Sequence, residues 1–121
     1  MKIYESSQDY LETILILSKK LPHVRNIDIA VEMNVTKQSV HRALKKLKEL
    51  GYIVIDENDY ITLTELGYKE ANDMYERHQI LTKYFISLGV PEDIAAKDAC
   101  KIEHDLSEET FTAIKKIVEG K

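Results

Sequence analysis

Three side chains that could bind a metal ion lie within five residues near the carboxyl end of this chain. Cys100, Glu103 and His104 offer a thiol, a carboxylate and an imidazole. On an α-helix, positions i, i+3 and i+4 share one face, so all three would point to the same side. Three ligands do not complete a metal site. From this segment alone, a small buried thiol beside a surface glutamate and histidine is the simpler explanation.

The other candidate ligands are spread along the chain. Asp9 and Glu12 stand three residues apart near the start of a predicted first helix at about 7–20, where the helix macrodipole favours acids in any case. His78 falls inside the apolar stripe of a long predicted helix, where a histidine more often belongs to the core. Each of these residues has an ordinary structural explanation when it is taken alone.

A basic helix is the second chemical feature. The chain has a net charge of −4, yet residues 37–50 carry five Lys or Arg against the single acid Glu49. Thr36 is a typical N-cap for a helix over this stretch, and Gly51 stands just past its end. A basic stripe on an acidic body is typical of a protein that binds DNA.

The elements around the basic helix predict how it is positioned. A short helix from Ile27 to about Met33, capped by Asn26, precedes it after a tight turn, which gives helix-turn-helix proportions. Two β-rich runs at 52–55 and 60–63 follow, separated by an acidic turn. A hairpin directly after a recognition-type helix is the wing of a winged helix.

Three further helices are predicted after the hairpin, at about 65–88, from Pro91 to about Asp105, and from a cap at Ser107. The last two are too few to bury their own apolar faces, which predicts a dimerisation platform. The predicted fold is mainly α with a small β-hairpin wing. An N-terminal winged helix-turn-helix DNA-binding domain spans 1–64, and a linker helix with a helical dimerisation domain spans 65–121.

The cysteine count and the distribution of apolar residues indicate where the protein acts. It has one cysteine, no apolar run long enough to cross a membrane, and no basic and apolar start typical of export. We therefore expect a cytoplasmic protein without a membrane partner.

Five stretches, taken together and in order, carry a family resemblance. They are SQDYLETI at 7–14, NVTKQSV at 34–40, LTELG at 63–67, YERH at 75–78 and IEHDLS at 102–107. The ordered set resembles the diphtheria-toxin-repressor family of metal-dependent transcriptional regulators, and within it the shorter manganese-transport-regulator branch. The resemblance covers essentially the full chain.

The resemblance implies one shared metal site. Its expected ligands here are Asp9, Glu12, His78, Cys100, Glu103 and His104. Carboxylates and imidazoles suit Mn²⁺ or Fe²⁺, and a thiolate shifts the preference toward Fe²⁺, Co²⁺ or Zn²⁺, so Co²⁺ or Zn²⁺ can substitute. Cys100 departs from the manganese branch, which has an acid there that helps to bridge two metals. The resemblance therefore does not carry a second, bridged metal over to this chain.

The function implied is a homodimeric, metal-activated repressor of metal uptake or homeostasis genes, bound to a palindromic operator in double-stranded DNA. Recognition-helix N-termini enter the major groove, so side chains near the start of the basic helix are expected to face base edges and its lysines to meet phosphates. The base-facing candidates are Thr36, Gln38, Ser39 and Arg42; the phosphate-facing candidates are Lys37, Lys45 and Lys46; His41 suits either role.

Three alternatives remain open at this point. The first is a metal-independent winged-helix regulator that senses a small organic ligand. The second is an enzyme with Cys100 as nucleophile and His104 as its base, but no third orienting residue or oxyanion-forming glycine loop accompanies that pair, so we expect no enzyme. The third is a structural adaptor, which leaves the charge of the basic helix unexplained.

Overall fold

The computed structural model describes residues 5–120, with side chains from Ser7 onward. Six helices and one hairpin follow in the order α1 (Glu5–Lys20), α2 (Asn26–Met33), α3 (Lys37–Glu49), β1 (Ile53–Ile55), β2 (Ile61–Leu63), α4 (Glu65–Ser87), α5 (Glu92–Ile102) and α6 (Glu108–Glu119). This confirms the predicted mainly α fold with a β-hairpin wing. Between residues 5 and 120, no helix is both long and apolar enough to cross a membrane. The chain divides between Asn72 and Asp73 into two compact units.

The first unit packs α1, α2 and α3 together, with α3 against β1 and α1 against β2. Its fully buried side chains include Leu11, Ile14, Ile29, Leu47 and Ile53, which recur at helical spacing on the helices or stand at the start of the first strand. The strands are antiparallel, with Ile53 opposite Leu63 and Ile55 opposite Ile61. This is the winged helix that the order of elements predicted.

A short strand contact that was not predicted ties the segment before α2 to the wing. Val24 pairs with Ile61 in an isolated antiparallel bridge, in which the Ile61 N–H donates to the Val24 carbonyl at 2.8 Å. The chain between α1 and α2 therefore runs along the edge of the hairpin.

The helix ends agree with the sequence at α3 and differ at α2. The side-chain oxygen of Thr36 accepts from the N–H of Ser39 at 3.1 Å, so Thr36 caps α3 as expected. The expected cap at Asn26 is wrong, because Asn26 is already the first residue of α2. The cap position belongs to Arg25, whose N–H donates to the Asp28 carboxylate at 2.9 Å. Asp28, in the first turn of α2, thereby pairs with the Arg25 N–H, a group that the helix itself does not bond.

A close backbone approach locks the hairpin exit to the start of α4. Thr64 caps α4, since its Oγ1 accepts from the Gly67 N–H at 3.1 Å and donates to the Gly51 carbonyl at 2.7 Å. A Cβ atom at Gly67 would lie 1.9 Å from the Tyr52 carbonyl oxygen. Only glycine lets the helix approach this closely, which is why the LTELG stretch needs its glycine.

The second unit contains α4 from Asp73 onward, α5 and α6, and its buried side chains include Met74, Leu81, Ala99 and Phe111. Helix α5 was predicted to continue to Asp105 but ends at Ile102. A long-range contact stabilises the turn that replaces its expected last residues, because Arg77 on α4 donates to the carbonyls of Glu103 (3.0 Å) and Leu106 (2.7 Å). Residues 103–106 form a turn, after which Ser107 caps α6 as predicted.

Candidate metal centre and DNA-binding surface

Glu103 is the centre of a buried histidine–carboxylate cluster in the second unit. Its Oε2 lies 3.0 Å from His78 Nδ1, and its Oε1 lies 3.5 Å from His104 Nε2. The side chain of Glu103 is fully buried, that of His104 is 2% exposed, and that of His78 is 29% exposed. Helix α4 supplies one imidazole, and the turn after α5 supplies the carboxylate and the other imidazole.

The carboxylate of Glu103 shows that this cluster suits a metal ion. A buried carboxylate is costly unless its oxygens have partners. Within the described part of the chain, Oε1 makes no hydrogen bond, since His104 Nε2 at 3.5 Å lies within ion-pair range only. A divalent cation would satisfy that oxygen, and imidazole with carboxylate is a donor set that Mn²⁺ and Fe²⁺ accept. The side chains therefore fit the metal that the family resemblance implies.

Burial reverses the simpler explanation of the Cys100 segment. That explanation had the thiol inside and the two polar neighbours at the surface. Instead Cys100 is exposed on the last turn of α5, whereas the side chains of Glu103 and His104 are buried. The predicted helix face does not include all three residues, because Glu103 caps the end of α5 and His104 follows in the turn.

The two acids of the first helix lie in the first unit. Asp9 and Glu12 are three residues apart on α1, which places them on one side of the helix about one turn apart. Glu12 exposes 9% of its surface and Asp9 is half-buried. Of the six predicted ligands, the first unit thus carries these two acids and the second unit carries the other four.

The outer face of α3 presents the predicted DNA-binding residues, whereas Val40, Leu44 and Leu47 on its inner face are buried. Three of these residues are linked to one another. Thr36 donates to the Ser39 hydroxyl at 3.0 Å, and Arg42 Nη2 donates to the same hydroxyl at 3.4 Å. The exposed side chains of this face are Thr36, Lys37, Gln38, His41, Arg42, Lys45 and Lys46.

A shallow groove of about 520 Å³ runs along this face and is lined by Asn26, Lys37, Gln38, His41 and Arg42. Asn26 Nδ2 donates to the Lys37 carbonyl at 3.4 Å, which ties the start of α2 to the start of α3. The groove is therefore bordered by the first residues of both helices.

Arg25, directly before Asn26 in the chain, is an exposed cation that no sequence motif indicated. Its Nη2 donates to the Tyr60 hydroxyl at 3.0 Å, and its guanidinium carbon lies 4.9 Å from the centre of the Tyr60 ring. His23 stacks on the same ring at 4.1 Å. The hydrogen bond that Arg25 donates to Tyr60 raises the pKa of Arg25 above its usual value, so the residue stays charged. Arg25 and Tyr60 are 35 positions apart, and no local pattern indicated that they meet.

Both halves of the chain match models of known protein domains. Residues 2–59 match the domain described as "Iron dependent repressor, N-terminal DNA binding domain". Residues 64–120 match the domain described as "Iron dependent repressor, metal binding and dimerisation domain". The α3 surface lies within the first match, and the Glu103 cluster lies within the second.

Individual proteins are similar over most of the chain. The transcriptional regulator MntR of Escherichia coli O157:H7 is 36% identical over 111 residues, which cover 92% of this chain and 72% of that protein. An uncharacterized HTH-type transcriptional regulator of Methanocaldococcus jannaschii is 33% identical over 117 residues, covering 95% and 94%. The crystal structure of the metal-dependent transcriptional regulator MtsR superposes with a TM-score of 0.86 at 26% identity. The match covers 93% of this chain and 53% of MtsR, so the chain spans about half the length of that structure.

Proposed function

Because this chain belongs to the diphtheria-toxin-repressor family of metal-dependent regulators, near its MntR branch, we propose that it is a metal-activated DNA-binding repressor of metal uptake or homeostasis genes. The observation that carries this proposal is the buried Glu103 carboxylate between two imidazoles, with one oxygen that makes no hydrogen bond among residues 5–120. The relatives are named as transcriptional regulators, so a regulatory role is favoured over catalysis and over sensing of a small organic ligand. We further propose that it acts in the cytoplasm.

The proposed metal ligands are His78, Cys100, Glu103 and His104 of the second unit together with Asp9 and Glu12 of the first. The native ion is Mn²⁺ or Fe²⁺, and Co²⁺ or Zn²⁺ can substitute. A metal that takes ligands from both units stabilises the arrangement in which those ligands converge, by its differential affinity for that arrangement. Metal binding would thereby set the position of the recognition helix.

The proposed DNA contacts are the exposed residues of α3 and the neighbouring Arg25. Arg42, Thr36, Gln38 and Ser39 face base edges, Lys37, Lys45, Lys46 and Arg25 contact phosphates, and His41 suits either role. We propose that residues 1–64 form the DNA-binding domain and that residues 65–121 form the linker helix with the metal-binding and dimerisation domain.

The proposed homodimer would account for apolar side chains that the second unit exposes. Ile86, Leu88, Ile94 and Ile117 are each more than 40% exposed, and a second copy would cover such side chains. A two-fold dimer would present two recognition helices to a palindromic operator.

The test of the function is DNA binding with and without metal. A palindromic duplex is first selected from random DNA in the presence of Mn²⁺, and its affinity is then measured by fluorescence anisotropy. We expect tight binding with micromolar Mn²⁺ or Fe²⁺, loss of binding with a chelator, and weak binding to a scrambled duplex. Equal affinity with metal and with chelator would reject the metal switch.

The role of Cys100 is tested with Co²⁺, whose spectrum reports its ligands. We expect the Co²⁺-loaded chain to show an intense thiolate-to-metal charge-transfer band in the near ultraviolet. Cys100→Ser should remove this band and keep the weaker visible bands, because the other ligands remain. A charge-transfer band that survives the substitution, or its absence from the wild-type chain, would remove Cys100 from the ligand set.

A further inference from the structure

Two consecutive residues of α4 contact the same residue of the cluster. His78 Nδ1 lies 3.0 Å from the Glu103 carboxylate, while Arg77 Nη1 donates to the Glu103 main-chain carbonyl at 3.0 Å. The side chain and the backbone of Glu103 are therefore both held from one turn of α4.

Arg77 is itself fixed by several partners. The same Nη1 donates to the Leu106 carbonyl at 2.7 Å, and Nη2 forms an ion pair with the Glu108 carboxylate at 3.1 Å. The guanidinium carbon lies 5.1 Å from the centre of the Phe111 ring, and the side chain is only 11% exposed. A planar guanidinium with several donors holds such a set of acceptors in one geometry, which a flexible ammonium does not.

These contacts explain why the chain turns where it does. The last carbonyls of a helix have no partner within the helix, and a cationic donor can satisfy them. Arg77 satisfies the carbonyls of Glu103 and Leu106, which lie just past the end of α5, and so stabilises the turn that follows Ile102. Glu103 stands at the start of this turn and His104 follows, and both side chains point to the interior.

We propose that Arg77 is a positioning residue for the metal centre, which contacts no metal but holds the turn that carries Glu103 and His104. This inference rests on the proposed function, since it concerns the same site. Loss of a partner that orients metal ligands typically lowers metal affinity by about 10- to 100-fold. The same is expected here when Arg77 is replaced.

The experiment measures Mn²⁺ affinity of the full chain by calorimetric titration, with Co²⁺ spectra as a second readout. Arg77→Met should weaken Mn²⁺ binding about 10- to 100-fold and change the visible Co²⁺ bands, because the ligand geometry loosens. Arg77→Lys should recover part of the affinity, since an ammonium can still donate to a carbonyl.

Lys115→Met is the matched control. Lys115 Nζ pairs with the Glu76 carboxylate of α4 at 3.1 Å and so also joins α6 to α4, but within the described part of the chain it forms no hydrogen bond with residues 103–106. That hydrogen bond raises the pKa of Lys115, so the lysine is charged in the test. Loss of this half-buried pair, which lies outside the 103–106 turn, should change Mn²⁺ affinity by less than about twofold.

The outcomes separate the inference from the function. Wild-type Mn²⁺ affinity in Arg77→Met, or an equal loss in Lys115→Met, would overturn the positioning role. If Arg77→Met does not fold, Arg77→Lys decides, with reduced affinity supporting the role and unchanged affinity overturning it. Failure of the wild-type chain to bind Mn²⁺, Fe²⁺ or Co²⁺ would instead reject the proposed function.

Discussion

Glu103→Gln is expected to weaken Mn²⁺ binding by more than about 100-fold and to abolish metal-dependent DNA binding. The substitution keeps the size of the side chain but removes the negative charge between His78 and His104. Even residues that only orient metal ligands cost about 10- to 100-fold in metal affinity, so a central anionic ligand should cost more. Calorimetric titration with Mn²⁺ and anisotropy with the selected duplex measure the two effects.

The stability of the metal-free variant distinguishes loss of a ligand from loss of the fold. Removing one partner of a buried ion pair costs at most about 3–5 kcal/mol, and the glutamine amide keeps an oxygen that can still accept a hydrogen bond from His78. Urea unfolding in the presence of chelator should therefore show that Glu103→Gln still folds cooperatively, with a free energy of unfolding lowered by no more than this amount. Glu109→Gln, at an exposed position of α6, is the control and should leave both metal binding and stability unchanged. If Glu103→Gln binds Mn²⁺ as tightly as the wild type, Glu103 is not a metal ligand and the cluster is a purely structural network.

Arg42→Met is expected to lower affinity for the selected operator by about 1–3 kcal/mol in each half-site, the usual value of a bidentate contact to guanine. The guanidinium is exposed on α3 and donates to the Ser39 hydroxyl at 3.4 Å, so it is oriented by a neighbour on its own helix. The loss should be confined to the operator and absent from unrelated DNA, and the protein should become less selective for the base at one position in each half-site. Anisotropy titrations with operators altered one position at a time measure this.

Phosphate contacts should behave differently from Arg42. Lys45→Met and Arg25→Met should weaken binding to operator and unrelated DNA alike, and each should reduce the slope of log affinity against log salt by about one. Lys116→Met, at an exposed position of α6, should change neither quantity. A uniform loss in Arg42→Met would reassign Arg42 to the phosphates, and no loss would remove it from the DNA interface.

The winged helix could be predicted because its signals are local. Val40, Leu44 and Leu47 recur at helical spacing and become the buried face of α3. Thr36 lies at the cap and forms the expected hydrogen bond with Ser39. Two β-rich runs around an acidic turn become the hairpin, with boundaries that differ by one residue. Each of these features depends on neighbours within a few positions, which a sequence displays directly.

Asp9, Glu12 and His78 could be proposed as metal ligands only by resemblance to a family, because none of the three is distinctive where it stands. Asp9 and Glu12 suit the start of any helix, and His78 suits any helix core. The ordered set of motifs, and not the local spacing, indicated that these residues belong to one metal site.

The Cys100 segment shows what the sequence determined alone and what only the tertiary structure decided. Residue types and spacing determined that a thiol, a carboxylate and an imidazole lie close together along the chain. The tertiary structure decided that Glu103 and His104 are buried and Cys100 is exposed, and that α5 ends at Ile102. The physical reason is that Arg77 and His78, which contact Glu103, lie 26 and 25 positions earlier. No local periodicity encodes a hydrogen bond over that separation.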